Sequence, residues 1–294
     1  MQLHLVDATY ELFRAHFSPR PAVLGRDGRV LNGVSGLIET LLSLLSDEGA
    51  THVACATDRV IRSFRNDLFP GYKSEIGIAP ELLSQFPIAE RAIEALGLTL
   101  WPMVDYEADD ALATAVARWV GDAAVDRIVI CSVDKDLAQC VRNRRVVLRD
   151  RRRRITYDEE GVRQKWGVAP TSIPDLLALV GDSSDGYPGI PGWGAKTAAA
   201  VLARYGSIDE IPRRASDWSV TVRGAPVLAA RLVAQAAEVQ LYLELARLRT
   251  DADIPQRNLE ELRWRGAPRA TYQQLCDELG LDSLRDRPRR WLDD

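Results

Sequence analysis

The chain has 294 residues and a net charge of −4, and 46% of its residues are hydrophobic and 27% charged. These values are the balance of an ordinary globular protein. No apolar run approaches the ~20 residues that a membrane-spanning helix needs, and the first residues lack the features of a secretory signal. We therefore expect a cytoplasmic protein with no membrane partner.

The first half of the chain alternates between strand and helix patterns. Strands are predicted at residues 3–6, 53–56, 98–101 and 127–131, and helices at 33–45, 80–96 and 109–120. This alternation indicates an α/β domain with a central, largely parallel, twisted sheet. A hairpin with an arginine-rich tip is predicted at residues 145–157.

Beyond residue 158 the pattern becomes helical. Helices are predicted at residues 171–180, 195–205 and 225–248, and a glycine-rich turn at 186–194 joins the first two. The predicted organisation is thus an α/β domain at residues 1–157 and a helical module at residues 158–294. The last 45 residues carry no motif with an evident chemical role.

Nine acidic residues fall into five short clusters. They are Asp7; Asp58; Glu107, Asp109 and Asp110; Asp134 and Asp136; and Asp182 and Asp185. Three clusters follow predicted strands, and ligands of open α/β sheets bind at the carboxyl ends of strands. Any one cluster alone could be a helix cap or a solvated turn. Together they predict a pocket for two Mg²⁺ or Mn²⁺ ions, which suits phosphodiester hydrolysis. If metal ions neutralise these nine carboxylates, the remaining charge is mildly positive, as phosphate binding requires.

The turn from Gly189 to Thr197 is rich in glycine but is not a nucleotide-binding P-loop. Ala195 separates Gly194 from Lys196, and a helix precedes the turn where a P-loop has a strand. We interpret it as a helix–turn–helix whose second helix offers backbone amides to a nucleic-acid phosphate. A plain helical hairpin is the alternative.

Basic and aromatic residues alternate after the second strand. Arg62, Arg65 and Lys73 are interleaved with Phe64, Phe69 and Tyr72. This mixture suits single-stranded nucleic acid, through charge and base stacking, or else a solvated loop with aromatic side chains in the core. The arginine run at residues 142–154 could contact a nucleic-acid backbone or be a solvated face.

Five motifs together resemble those of one enzyme family. They are Leu5-Val6-Asp7; Asp58 followed by Phe64-Arg65 and Tyr72-Lys73; Tyr106-Glu107-Ala108-Asp109-Asp110; Ser132-Val133-Asp134-Lys135-Asp136-Leu137; and the segment from Gly181 to Gly192. They resemble the bacterial 5′ nucleases, the flap endonuclease and 5′–3′ exonuclease family, which also occurs as the N-terminal domain of DNA polymerase I. The resemblance runs from Leu5 to about Tyr205 and more weakly to about residue 250. Departures at Ala8, Thr57, Asp105 and Gly186 remove no carboxylate.

The resemblance implies a PIN-like nuclease domain with a helix–two-turn–helix at about residues 172–205 and an arch or clamp region at about 73–97. It implies a first metal site with Asp7, Asp58, Glu107, Asp109 and Asp110. It implies a second site with Asp134, Asp136, Asp182 and Asp185, both sites taking Mg²⁺ or Mn²⁺. Backbone carbonyls of Val180, Ile190 and Trp193 would hold a K⁺ ion.

The resemblance also implies contacts with the substrate. Arg65 and Lys73 would approach the scissile phosphate, and Tyr72 would stack on the terminal base. Further DNA contacts are expected from Ser184, Gly192, Gly194, Lys196 and Thr197. The predicted function is a monomeric, structure-selective DNA 5′ nuclease acting on 5′ flaps, nicks and 5′ ends. The alternatives are a branched-DNA-binding protein without catalysis and a PIN-like ribonuclease.

Overall fold

A computed structural model describes residues 1–292, which form two compact units. The first, called here the sheet unit, comprises Met1–Ile61, Glu75–Ser132 and the described residues from Thr250 onward. The second, called the helical unit, comprises Arg62–Ser74 and Val133–Arg249. The units are interleaved along the chain, whereas the sequence suggested one linear boundary at residue 158, which stays a prediction.

The strands and helices of the described residues are as follows. The strands are β1 (Gln2–Asp7), β2 (His52–Asp58), β3 (Thr99–Met103), β4 (Arg127–Cys131), β5 (Val146–Asp150) and β6 (Ile155–Tyr157). The helices are α1 (Ala8–His16), α2 (Asn32–Ser46), α3 (Arg65–Leu68), α4 (Pro80–Leu83), α5 (Phe86–Ala95), α6 (Ala108–Trp119), α7 (Glu159–Trp166), α8 (Ile173–Val180), α9 (Ala195–Tyr205), α10 (Ala225–Ala234), α11 (Ala236–Ala246) and α12 (Arg269–Leu279).

Four parallel strands form the centre of the sheet unit, in the order β3-β2-β1-β4. The apolar residues of β1 and β2 are buried on both faces, as expected of a sheet covered by helices. In the register of these strands Asp7 lies beside Ala56, so Asp58 follows two residues farther along β2. The predicted parallel α/β sheet is confirmed, and its geometry brings the carboxyl ends of β1 and β2 together.

Two predicted long helices are each divided in the structure. The helix expected at residues 80–96 is α4 followed by α5, because Pro87 has no N–H and fits only the first turn of a new helix. The helix expected at 225–248 is α10 followed by α11, with a break at Gln235, where φ is −112°. The apolar spacing continues across this second break, so the sequence contains no signal for it. Helices α1, α3, α7 and α12 were not predicted.

The helical unit contains the predicted hairpin and the predicted pair of helices. Strands β5 and β6 pair antiparallel, with Arg149 beside Thr156. Helices α8 and α9 are joined by residues 181–194, and α11 packs against α8. Among the residues that the structure describes, no helix is both long enough and apolar enough to cross a membrane.

Candidate active site

Three buried aspartates meet in the helical unit. Asp136, Asp182 and Asp185 each offer a carboxylate oxygen, and these oxygens lie within 4.8 Å of one another. Asp136 opens a short 3₁₀ helix after β4, whereas Asp182 and Asp185 lie in the turn after α8. Residues far apart in the chain are thus brought to one point, and these three are among the four residues that the resemblance implied for the second metal site.

The backbone around these aspartates fixes their side chains. The Ser184 amide donates to Asp182 Oδ1 at 2.9 Å, and the Asp136 amide donates to Asp134 Oδ1 at 2.9 Å. Asp136 Oδ1 is buried and has no hydrogen-bond partner among the described residues. Burial and the neighbouring carboxylates, first Asp134, then Asp185 and Asp182, raise the pKa of Asp136 well above its usual value. A buried carboxylate with an unpaired oxygen beside other carboxylates is a site that a cation would stabilise.

Two lysines neutralise part of this cluster. Lys135 Nζ lies 2.6 Å from Asp182 Oδ2, and Lys73 Nζ lies 3.5 Å from Asp185 Oδ1. Partial burial opposes the charge of Lys135, but Asp182 and the other nearby carboxylates raise its pKa overall. Lys73 was predicted to be a site residue, but Lys135 was not. The position of Lys135 between Asp134 and Asp136 was the available signal, because a residue between two candidate ligands lies close to both in the chain.

In the sheet unit, Asp7 closes β1 and begins α1. Its Oδ1 accepts a hydrogen bond from the Tyr10 amide at 2.8 Å, so Asp7 is the N-cap of α1. Its Oδ2 accepts from the Ser132 hydroxyl at 2.9 Å. Neighbouring groups therefore hold both oxygens of this buried carboxylate in place.

The other carboxylates predicted for the first metal site surround the start of α6. Asp58 Oδ1 accepts from the Ala108 amide at 2.7 Å, and Asp110 Oδ2 accepts from the Glu107 amide at 3.0 Å. Glu107 and Asp110 form a reciprocal capping box. Both side chains are buried, whereas Asp109 is half-buried.

The two groups of carboxylates differ in how well they suit a metal ion. Every donor in both groups is a carboxylate oxygen, which is the ligand type that Mg²⁺ and Mn²⁺ prefer. The three aspartates of the helical unit already lie close enough to share an ion. The five carboxylates of the sheet unit are brought to one sheet edge, but they do not form an equally tight group among the described residues. The side chains present therefore fit a hard divalent cation best at Asp136, Asp182 and Asp185.

The predicted helix–two-turn–helix is formed by α8, α9 and the turn between them. The Ile190 amide donates to the Leu179 carbonyl at 2.9 Å, and the Trp193 amide donates to the Ile190 carbonyl at 3.1 Å. Gly194 precedes α9 and gives no side-chain cap to it, and Gly194 and Lys196 are exposed. The first amides of α9 are therefore without a side-chain cap, as an anion-binding helix end requires.

The remaining predicted residues of this turn lie as follows. Ser184 and Gly192 are exposed, and Thr197 is half-buried in the first turn of α9. Val180 ends α8, while Ile190 and Trp193 are buried in hydrogen-bonded segments of the turn. The K⁺ site at their carbonyls stays a prediction.

Arg231 supports this turn and was not predicted. Its Nη1 donates to the Pro191 carbonyl at 2.6 Å, and it lies directly over Gly192. Gly192 has a φ of +83°, a conformation that favours glycine. The turn is therefore held from outside by a side chain of α10, which no local sequence pattern indicates.

Two predicted substrate contacts are buried instead. Arg65 is 1% exposed, and its guanidinium donates to the carbonyls of Leu245 and Arg247 at 2.9 and 3.0 Å. Tyr72 is 4% exposed, and its ring stacks on Tyr187 with the ring centres 6.5 Å apart. These buried positions do not agree with the expected contact of Arg65 with the scissile phosphate. They do not agree with the expected stacking of Tyr72 on a terminal base either. For Tyr72 the alternative interpretation, a core aromatic, fits the structure.

Comparison with known families gives matches along nearly the whole chain. Residues 2–167 match the 5′-3′ exonuclease N-terminal resolvase-like domain. Residues 168–270 match the 5′-3′ exonuclease C-terminal SAM fold. The two matched regions follow each other without a gap.

Individual relatives agree with this assignment. The 5′-3′ exonuclease of Aquifex aeolicus is 30% identical over 283 residues, covering 96% of this chain and 93% of that protein. DNA polymerase I of Mycobacterium leprae is 34% identical over 290 residues, but the chain spans only 31% of its length. The structure resembles the flap endonuclease of bacteriophage T5 in a pseudo-enzyme-product complex with DNA and metal ions, with a TM-score of 0.64 and 20% identity. That match covers 85% of this chain and 90% of the phage protein.

Proposed function

Since the chain belongs to the 5′-3′ exonuclease family and is a nuclease, we propose that it is a structure-selective DNA 5′ nuclease. It cleaves 5′ flaps, nicks and 5′ ends, leaving 5′-phosphate and 3′-hydroxyl products. The observation that carries this proposal is the group of three buried aspartates, Asp136, Asp182 and Asp185, whose oxygens lie within 4.8 Å. Carboxylates gathered at such distances repel one another and are stabilised by cations beside them, which supports a divalent-metal site here.

The cofactor is Mg²⁺ or Mn²⁺, held at two sites. The first is held by Asp7, Asp58, Glu107, Asp109 and Asp110, and the second by Asp134, Asp136, Asp182 and Asp185. When bound, such ions lower the pKa of the attacking water and neutralise charge on the phosphate and the leaving oxygen. Support comes from the oxygen-only donor sets and from the phage enzyme, which is described with DNA and metal ions.

The chain's own groups position the substrate. The Lys73 ammonium, 3.5 Å from Asp185, is placed to shift onto a phosphate oxygen bound beside that carboxylate. The uncapped amides of α9, with Lys196 and Thr197, hold a backbone phosphate of the duplex. Ser184, Gly192 and Gly194 line the same turn, and the carbonyls of Val180, Ile190 and Trp193 hold a K⁺ ion. The enzyme acts as a monomer in the cytoplasm, where the DNA of a bacterial cell lies.

The test is cleavage of a labelled duplex with a single 5′ flap in Mg²⁺ or Mn²⁺. We expect metal-dependent cleavage near the junction, with little cleavage of a matched 3′-flap duplex. An Asp182→Asn variant should lose several orders of magnitude in rate, because metal-ion catalysis contributes several kcal/mol. Tight binding of the flap with no cleavage in any divalent ion would instead indicate a DNA-binding protein, and preference for an RNA flap would indicate a ribonuclease.

A further inference from the structure

Lys135 occupies one of the two carboxylate oxygens of Asp182. Asp182 Oδ1 accepts the Ser184 amide at 2.9 Å, so Oδ2 has the larger share of its lone pairs available to a further partner. The Lys135 ammonium lies 2.6 Å from that Oδ2. Asp182 is almost completely buried, so its side of this contact is screened little by salt. A divalent ion that bound Asp182 through Oδ2 would therefore have to displace the ammonium.

The rest of the cluster explains why a positive charge is held there. Asp136 and Asp185 offer oxygens within 4.8 Å of Asp182, and Asp136 Oδ1 has no hydrogen-bond partner among the described residues. Buried carboxylates at such distances repel each other unless a cation lies between or beside them. Lys135 cannot leave this region, because Asp134 and Asp136 are its neighbours in the chain.

Lys135 nevertheless reaches solvent. Its side chain is 36% exposed, so the ammonium has a path to solvent while its stem stays in place. Lys73, the other cation at the cluster, lies farther from its carboxylate, at 3.5 Å. The Lys135–Asp182 contact is therefore closer than the Lys73–Asp185 contact.

We propose that Lys135 is a built-in counter-ion that takes the place of the divalent metal in the metal-free protein and is displaced when the metal binds. This inference depends on the proposed function, because it requires a metal site at the three aspartates. Lys135 then has two opposite effects. It stabilises the metal-free fold, and it weakens metal binding by competing for Asp182.

The experiment measures metal affinity and metal-free stability in the whole protein. Mn²⁺ binding is titrated by calorimetry at pH 8, and the loss of one binding event in Asp182→Asn identifies the event that belongs to the cluster. In Lys135→Met we expect that event to be about tenfold tighter, corresponding to about 1.4 kcal/mol. In EDTA the same variant should melt several degrees below the wild type.

Three further variants separate charge from packing. Lys135→Gln removes the charge with a polar side chain and should behave like the methionine variant, which keeps the test available if methionine disturbs folding. Lys135→Arg keeps the charge and should retain wild-type metal-free stability. Lys165→Met removes a lysine that lies over the rings of Tyr157 and Trp166, 4.2 Å from each centre, and should leave Mn²⁺ affinity unchanged.

The outcomes distinguish this inference from the proposed function. If the wild type binds no divalent ion at the cluster, the proposed metal site itself is wrong. If the wild type binds Mn²⁺ but both uncharged Lys135 variants bind it equally or more weakly, the counter-ion role is overturned while the nuclease assignment stands. Unchanged melting of those variants in EDTA would likewise overturn it.

Discussion

Gly189 is the position where one added methyl group should do the most damage to the helix–two-turn–helix. Its φ is +69°, which costs a non-glycine residue about 1–2 kcal/mol. A Cβ there would also press on the backbone at Gly181 N and Val180 C and lie 2.7 Å from the Leu179 carbonyl oxygen. Backbone atoms cannot swing aside as side chains do, so overpacking adds about 1–3 kcal/mol. We expect Gly189→Ala to lower the free energy of unfolding by about 2–5 kcal/mol.

Gly161→Ala is the matched control for this change. Gly161 lies inside α7, and a Cβ there would meet Tyr157 at an ordinary 3.5 Å. Removing a glycine from a helix stabilises it by about 0.5–1 kcal/mol, so the same substitution should have the opposite sign.

The assay is urea unfolding followed by affinity for a plain DNA duplex. With m-values of about 1–3 kcal/mol/M, Gly189→Ala should shift the midpoint down by about 1 M or more. If the amides at this turn hold a duplex phosphate as proposed, duplex affinity should fall about tenfold or more in urea-free buffer. If Gly189→Ala unfolds within about 0.5 kcal/mol of the wild type and binds duplex normally, the close backbone approach is not what holds the turn.

Three further predictions follow from single contacts. Burial raises the pKa of Asp175, although the Ile208 amide, which donates to its carboxylate at 2.7 Å, opposes the shift. Ionised Asp175 therefore lowers the free energy of unfolding at pH values above its raised pKa. Asp175→Asn should be more stable than the wild type at pH 8, and this advantage should disappear in unfolding curves taken toward pH 4. Asp7→Asn can still accept the Tyr10 amide, so it should keep the wild-type melting temperature while losing metal-dependent cleavage. Asp7→Ala should lose cleavage and also about 1 kcal/mol of stability, because it removes the N-cap. Equal melting temperatures of the two variants would contradict the capping role. Lys196→Ala should weaken duplex binding equally for all sequences and reduce the slope of log K against log salt by about 1, and an unchanged slope would mean that Lys196 does not contact a phosphate.

The local pattern of the sequence was enough to predict most of the elements. Strand β4 and helix α9 begin and end at the predicted residues, because apolar periodicity and flanking turn residues specify them locally. The nine carboxylates were identified as candidates in the same way, because their positions after strands, at the start of a helix or just after a helix are visible in the chain. The parallel direction of the strands then followed from the alternation of strand and helix, whereas the order of the strands was not predicted.

The sequence could not decide whether side chains that are both polar and bulky, such as those of Arg and Tyr, are buried or exposed. Arg65 and Tyr72 look like substrate contacts in the chain, yet the tertiary structure buries both, because distant carbonyls at Leu245 and Arg247 and the ring of Tyr187 provide them with partners. No Pro or Gly lies at the break between α10 and α11, so the local sequence does not indicate where α10 ends.

The sequence therefore identified which acidic residues are candidate metal ligands, and the tertiary structure decided which of them lie close together. Carboxylates near one another in the chain, such as Glu107 and Asp110, could be paired from helical spacing. The meeting of Asp136 with Asp182 and Asp185 depends on the chain's return through α8, a long-range contact that no local pattern encodes. The ion pair of Lys135 with Asp182 likewise required the tertiary structure, because an ion pair depends on distance in space and not on distance along the chain.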